Sequence, residues 1–304
     1  MTWHKKGLIY AFDRSLGWAE HSASKPAPIV LDETRVRVFV GCRDGSGVSR
    51  IGFVDLDAKN PSRILRVSRG PVLDIGTPGM FDDNGVVPCV AVRLGSAIYL
   101  YYEGYQLGTK VKFTSFAGLA ISRDDGETFE RWDRVPVLDR AAEGSLVRVI
   151  HAVLPLADGR WRVFYTAGSQ FVALGTAQRP HYQIFYQDTD DGVAFSPAGS
   201  LIVGVEGDEY RVGKPSVLEH DGGYLMLFSK AARTVPYRVA AARSPDSLTW
   251  QRAGDDLVLE PSAEGWDSQM VTYPYLLRLG NRMVVLYNGN NYGETGFGWA
   301  EWRA

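Results

Sequence analysis

The chain has 304 residues, 45% of them hydrophobic, and a formal net charge of −2 with pI near 6.2. That balance carries no basic surplus for nucleic acid or an anionic membrane surface, and no stretch approaches the roughly 20 apolar residues of a membrane-spanning helix. No Ser/Gly tract, Pro run or long charge block marks a linker, so residues 1–304 read as one domain.

In chain order, the N-terminus MTWHKKGLIYAFDRSLGW lacks a secretion signal, its apolar stretch being short and broken by Asp13 and Arg14. A cytoplasmic protein is the expectation, with Cys42 and Cys89 as free thiols. A pattern then recurs five times: an apolar strand, a turn, and a second apolar strand ending in polar residues. The copies open at Pro28, Pro88, Ala152, Pro215 and Pro274, at steps of 60, 64, 63 and 59 residues. A repeat of this length suits one four-stranded antiparallel blade, and five of them predict an all-β, five-bladed β-propeller.

Within the second repeat, PCVAVRL, AIYLYYE, FAGLAIS and FERWDRVPVL supply the four strands by their alternation. Between the last two lies Ser122-Arg123-Asp124-Asp125-Gly126-Glu127-Thr128-Phe129, similar to the Asp box of sialidase propellers. Its carboxylate should bond turn amides and its glycine should take a positive φ. Looser copies surround Asp191 and Asp246. The last repeat contains only three strands. Its fourth is expected from Gly7–Phe12, so pairing of the two chain ends closes the fold and removes exposed edges.

Antiparallel strands send the loops before strand one and after strand two to the same face. The first set contributes His21, Asp82, Asp83, Asn84, Arg148, His151, Glu209, Arg211, Lys214, Asp267, Gln269 and Tyr273. The second adds Arg43, Glu103, Asn288 and Tyr292. Donors and acceptors mixed with aromatic rings suit a sugar, whose hydroxyls need hydrogen bonds and whose ring faces stack. Glycoside cleavage needs two carboxyl groups across the scissile bond, which points to Glu209 as general acid, Asp83 as base or nucleophile and Asp267 as a third candidate. Alternatively, Asp82-Asp83-Asn84 forms an Asx-turn and Glu209 pairs with Arg211. Arg148 and Arg211 precede Ala152 and Pro215 by four residues, and His151 and Lys214 precede them by one. Such cations suit a carboxylate or phosphate. No cysteine, histidine or acidic spacing suggests a metal, and no motif calls for a cofactor.

By its repeat pattern over almost the whole chain, the sequence resembles the five-bladed propeller glycosidase superfamily of arabinanases, xylosidases, invertases and levansucrases, and more distantly the mannoside phosphorylases. The resemblance implies acid–base or nucleophilic chemistry by axial carboxylates, often an Asp just before the Pro of strand one. Here that place holds Ala27, Val87, His151, Lys214 or Tyr273, and no Asp-Pro dipeptide occurs there. The expectation is a glycoside hydrolase-like enzyme for a small or anionic intracellular saccharide or glycoconjugate. The alternatives are a phosphorylase or glycosyl transferase with an Arg/Lys anion site, or a non-catalytic sugar-binding propeller.

Overall fold

A computed structural model of the chain describes residues 2–254 and 257–303, and they are nearly all β. Strand pairing follows the repeats as antiparallel meanders. The first runs β2 (His21–Val30), β3 (Arg35–Arg43), β4 (Ser49–Asp57) and β5 (Ile64–Val67). The second is β6 (Val86–Leu94), β7 (Ala97–Leu107), β8 (Phe113–Ser122) and β9 (Glu130–Arg131). The third is β10 (Val147–Pro155), β11 (Trp161–Leu174), β12 (Ala177–Thr189) and β13 (Ser200–Val203). The fourth is β14 (Glu209–His220), β15 (Gly223–Ala232), β16 (Arg238–Ser244) and β17 (Gln251–Arg252). The last joins β18 (Thr272–Leu279), β19 (Arg282–Asn288) and β20 (Phe297–Arg303) to β1 (Thr2–Tyr10).

The chain ends pair as the sequence suggests, over a longer stretch: Thr2 lies opposite Arg303 and Tyr10 opposite Phe297. The Trp3 indole N–H donates to the Leu257 carbonyl at 3.0 Å, pinning β1 to the fourth repeat. The strand expected over Phe129–Leu138 is cut to Glu130–Arg131, with a single further bridge from Ala117 to Leu138.

The second strand of each meander explains its own sequence. Side chains alternate between faces with period two, and here both faces are buried. Val36, Val38 and Val40 of β3 join a core with Val284 and Leu286 of β19, while Phe39 joins Leu100 and Tyr102 of β7. On β7, Tyr101 turns to Val163 and Tyr165 of β11. On β11, Phe164 turns to Met226 and Phe228 of β15. On β15, Leu225 and Leu227 turn to Met283 and Val285 of β19. Each apolar core thus lies between successive repeats, and the last repeat packs on the first. Each such side chain withdrawn from water stabilises the fold by roughly 1.5–3 kcal/mol.

The tight turn at Asp124 is structural. Its carboxylate accepts the Glu127 and Thr128 amides at 3.1 and 3.0 Å, and Gly126 sits at φ 87°. Phe129 then packs edge-on against Phe39 of the previous meander. At Asp246, the Thr249 and Leu248 amides bring the carboxyl down to about 2.

Candidate active site at the convergence of the first strands

Near the start of strand one, each of these antiparallel pairs is interrupted by a register shift. The shifts fall between Ser24 and Ala27, Pro88 and Val90, Ile150 and Ala152, Gly213 and Ser216, and Thr272 and Tyr275. At three of them the residue before proline is left-handed: Lys25 at φ 53°, Lys214 at 53° and Tyr273 at 54°. None is glycine, so each stores backbone strain of the kind that concentrates at functional positions. Lys25 therefore matches Lys214, and the proline opening the first repeat is Pro26 rather than Pro28. The assignment of Ala27 to that place is corrected by two residues.

These side chains and their neighbours form a buried polar hub. The Lys25 ammonium is ion-paired with Glu103 and donates to the Tyr105 hydroxyl at 3.2 Å. Burial opposes its charge, but Glu103, Tyr105 and Tyr273 hold its pKa well above the usual lysine value. Its backbone N–H donates to Asn288 Oδ1 at 2.7 Å, and Asn288 Nδ2 donates to the Ala23 and Gly296 carbonyls. Asn288 is thus a brace between the last and first meanders.

Lys214 is also buried, but among the described residues its ammonium has only the Cys89 carbonyl at 2.9 Å and the Tyr275 ring 5.4 Å away. Burial, with Lys25 nearby, lowers its pKa to about 8. His151 is buried with Nδ1 unpartnered, and desolvation plus Lys214 and Lys25 push its pKa well below the usual 6.5. The hub imidazole is therefore neutral.

Arg211 is 5% exposed and, among the described residues, has no carboxylate partner. Its guanidinium sits 4.3 Å from the Tyr237 ring centre, 4.9 Å from Tyr210 and 5.6 Å from Tyr182, with Nη2 donating to the Tyr292 hydroxyl at 3.5 Å. The Tyr182 and Tyr237 hydroxyls bond each other, and Tyr273 stands 6.0 Å from Tyr237. Arg211 Nε is buried and unpartnered. A buried guanidinium normally has a compensating anion, and rings alone give a fraction of that stabilisation.

Of the sequence-derived candidates, the hub unites Glu103, His151, Arg211, Lys214, Tyr273, Asn288 and Tyr292. It also contains Tyr105, which the sequence places beside Glu103 in the second loop set, and Lys25, Tyr182 and Tyr237, which the sequence reading missed. The Lys-Pro dipeptide shared by Lys25-Pro26 and Lys214-Pro215 was the available signal for Lys25.

The carboxylates expected to be catalytic are engaged elsewhere. Glu209 does not pair with Arg211. It receives both terminal nitrogens of Arg252 at 2.8 Å and lies 3.4 Å from Lys230. Burial works against its ionisation, yet Arg252, the Glu206 amide and Lys230 hold its pKa below the usual value. That environment is the reverse of what a general acid requires. Asp267 accepts Lys5 Nζ at 2.6 Å and the Tyr287 hydroxyl at 3.0 Å. Asp82 accepts Arg131 Nε at 2.8 Å and the Tyr102 hydroxyl at 2.9 Å.

These three ion pairs share one plan: a carboxylate at or just before the start of strand one meets a cation from strand four, beside an aromatic ring of strand two. They are staples repeated from meander to meander. Asp83 is held within a turn, its Oδ2 accepting the Gly79 amide at 2.8 Å; that donor lies four residues earlier, whereas the expected Asx-turn would bond an amide two residues further on. Asn84 donates its amide to the Tyr105 carbonyl. Arg148 is neutralised by Glu143 at 3.0 Å and donates to the Asp139 and Ser196 carbonyls, so it does not share the role of Arg211. His21 and Gln269 line a separate cleft, and Arg43 is paired across the strands from His21.

Among the described residues, no group of three or more His, Cys, Asp or Glu could hold a metal ion.

Solved structures share the fold. One titled "Glycoside hydrolase" superposes with a TM-score of 0.74 at 20% identity, covering 98% of this chain and 90% of its own. A glycosyl hydrolase from Bacteroides ovatus gives 0.73 at 12% identity over 99% and 93%. A structure titled "The GH130 family of mannoside phosphorylases contains glycoside hydrolases that target beta-1,2 mannosidic linkages in Candida mannan" gives 0.73 at 13% identity over 99% and 93%. The fold is therefore that of the glycoside hydrolase propellers in coarse outline. No family model matches the chain. Two Mycobacterium tuberculosis proteins, the uncharacterized proteins MT1551 (strain CDC 1551 / Oshkosh) and Rv1502 (strain ATCC 25618 / H37Rv), are each 35% identical over 303 residues, covering 99% of both chains. The chain belongs to the family of these two proteins.

Proposed function

We propose that the chain is a carbohydrate-active enzyme, a single ring of five four-stranded blades, that transfers a glycosyl unit between phosphate and a saccharide hydroxyl. The packing of the last repeat against the first supports the closed ring. The observation that carries the reaction class is Arg211, buried among tyrosines without a carboxylate. Its guanidinium fork suits phosphate. Paired-carboxylate hydrolysis has less support, because the hub holds Glu103 and the other candidate acids are tied up in staples.

In the synthetic direction, the bond between the anomeric carbon and a phosphate oxygen breaks while an acceptor hydroxyl oxygen bonds to that carbon. Glu103, the carboxylate of the Lys25 ion pair, takes the acceptor proton. Arg211, Lys214 and the tyrosine hydroxyls receive the departing phosphate. Phosphorolysis is the reverse.

The test is incubation with sugar 1-phosphates and acceptor saccharides while free phosphate is measured. Release that requires both substrates is expected. Cleavage of glycosides at one rate with and without phosphate would contradict the proposal.

A further inference from the structure

A second cleft lies where the chain ends meet. Its volume is about 560 Å³, and Phe12, Arg14, His21, Gln269, Asn291 and Glu294 are among its lining residues. Such a volume lies within the range of small-molecule sites. Phe12 is half-buried, with the His21 ring 6.3 Å from its own and the Arg14 guanidinium 5.4 Å from its centre. Among the described residues, the side chains of Arg14, His21 and Gln269 make no hydrogen bond to protein. Three separate segments therefore line the cleft with uncommitted donors and acceptors, two of them beside the Phe12 ring. Asn290 is already spent: its Oδ1 accepts the Gln269 and Met270 amides. It fixes the wall from which Gln269 projects. Asn291 and Tyr292 are left-handed, at φ 55° and 61°.

The segments that wall this cleft continue along the chain into the hub. His21 lies four residues before Lys25 on β2, Gln269 lies four before Tyr273, and Asn291 precedes Tyr292, whose hydroxyl meets Arg211. We infer that the cleft is a subsite for a neutral pyranose, the acceptor unit of the saccharide whose reacting end lies in the hub. Phe12 supplies the ring on which a sugar face stacks. Arg14, His21 and Gln269 meet its hydroxyls. The opposite charges of Arg14 and Glu294 leave no net charge for an anion to neutralise. This inference rests on the reading of the hub as a glycosyl-transfer site.

The test reads the ring protons of the five histidines by selective isotope labelling of the full chain. Methyl glycosides of mannose, glucose and galactose are titrated in one series and inorganic phosphate in another. The expected result is a saturable shift of His21 by at least one glycoside, with His220 unmoved, that persists in Arg211→Met. Affinity should fall about tenfold in Phe12→Ala and in Arg14→Gln. No shift at His21 with any glycoside, or a shift shared equally with His220, overturns the subsite. If His151 still responds to phosphate in that case, the hub reading survives alone. A His21 response to sugar without any phosphate response would retain the cleft and remove the hub reading.

Discussion

Arg148 and Arg211 occupy the same place in successive repeats, four residues before the residue that opens strand one, yet their surroundings differ. Arg148 is closed off by Glu143, two carbonyls and the Tyr165 ring. Arg211 has aromatic rings and one distant hydroxyl. The same contrast separates two regions of the molecule. Away from the hub, Asp82, Glu209 and Asp267 each meet a cation and stabilise their meander. In the hub, Lys25 is paired with Glu103, while among the described residues Lys214 and Arg211 have no carboxylate partner. Charge is balanced where the fold is held together and unbalanced where the site lies. Natural folds accept such local cost at functional positions.

The largest expected effect concerns the joined ends. Deleting Thr2–Tyr10 strips β20 of one of its two partners and removes both Trp3 and the Lys5–Asp267 pair. The truncated chain should show no cooperative thermal transition by calorimetry. Next come the matched arginines. Arg148→Met removes the cation beside the largely buried Glu143, leaving it the Tyr165 hydroxyl and the Gly199 amide, and should cost about 3–5 kcal/mol in urea unfolding. Arg211→Met strands no carboxylate, so its stability should change far less. Equal losses in the two variants would erase the distinction between staple and site.

Lys214→Met should stabilise the unliganded protein at neutral pH by about 3 kcal/mol, because a lysine whose pKa falls from 10.5 to about 8 on folding opposes folding. The sign follows from proton counts. Between those values the unfolded chain holds the proton and the folded chain does not, so stability rises with pH. Unfolding measured from about pH 8 to 9.5 should show that rise in the native sequence and a flatter profile in Lys214→Met. Above about pH 10 the buried tyrosines reverse the trend, since their folded pKa values are raised. His151 acts at the other end. Its folded pKa is depressed, so the unfolded state alone takes up a proton as pH falls through 6.5 and stability declines. His151→Gln should reduce that acid-side slope.

The meanders were legible because period-two apolar segments and turn residues are local signals. The pairing of the N-terminus with the last strand followed from counting strands in the last repeat. The polar sites were legible only in part. Arg211, Lys214 and His151 stood out by matched spacing. Lys25 was hidden because Pro26 and Pro28 flank one alanine, and repeat length alone does not choose between them. The carboxylates misled because their fates depend on partners distant in sequence: Arg131 for Asp82, Arg252 for Glu209, and Lys5, from the other end of the chain, for Asp267. Nothing near an acidic residue in sequence tells whether strand four will deliver a cation to it.

The proposed role of the unneutralised Arg211 guanidinium is to receive an anion. Calorimetric titration of the native protein, Arg148→Met and Arg211→Met with inorganic phosphate tests it most directly. Saturable binding is expected in the native protein and in folded Arg148→Met, and its loss in Arg211→Met. Phosphate binding that survives in Arg211→Met, or is absent from the native protein, would contradict it.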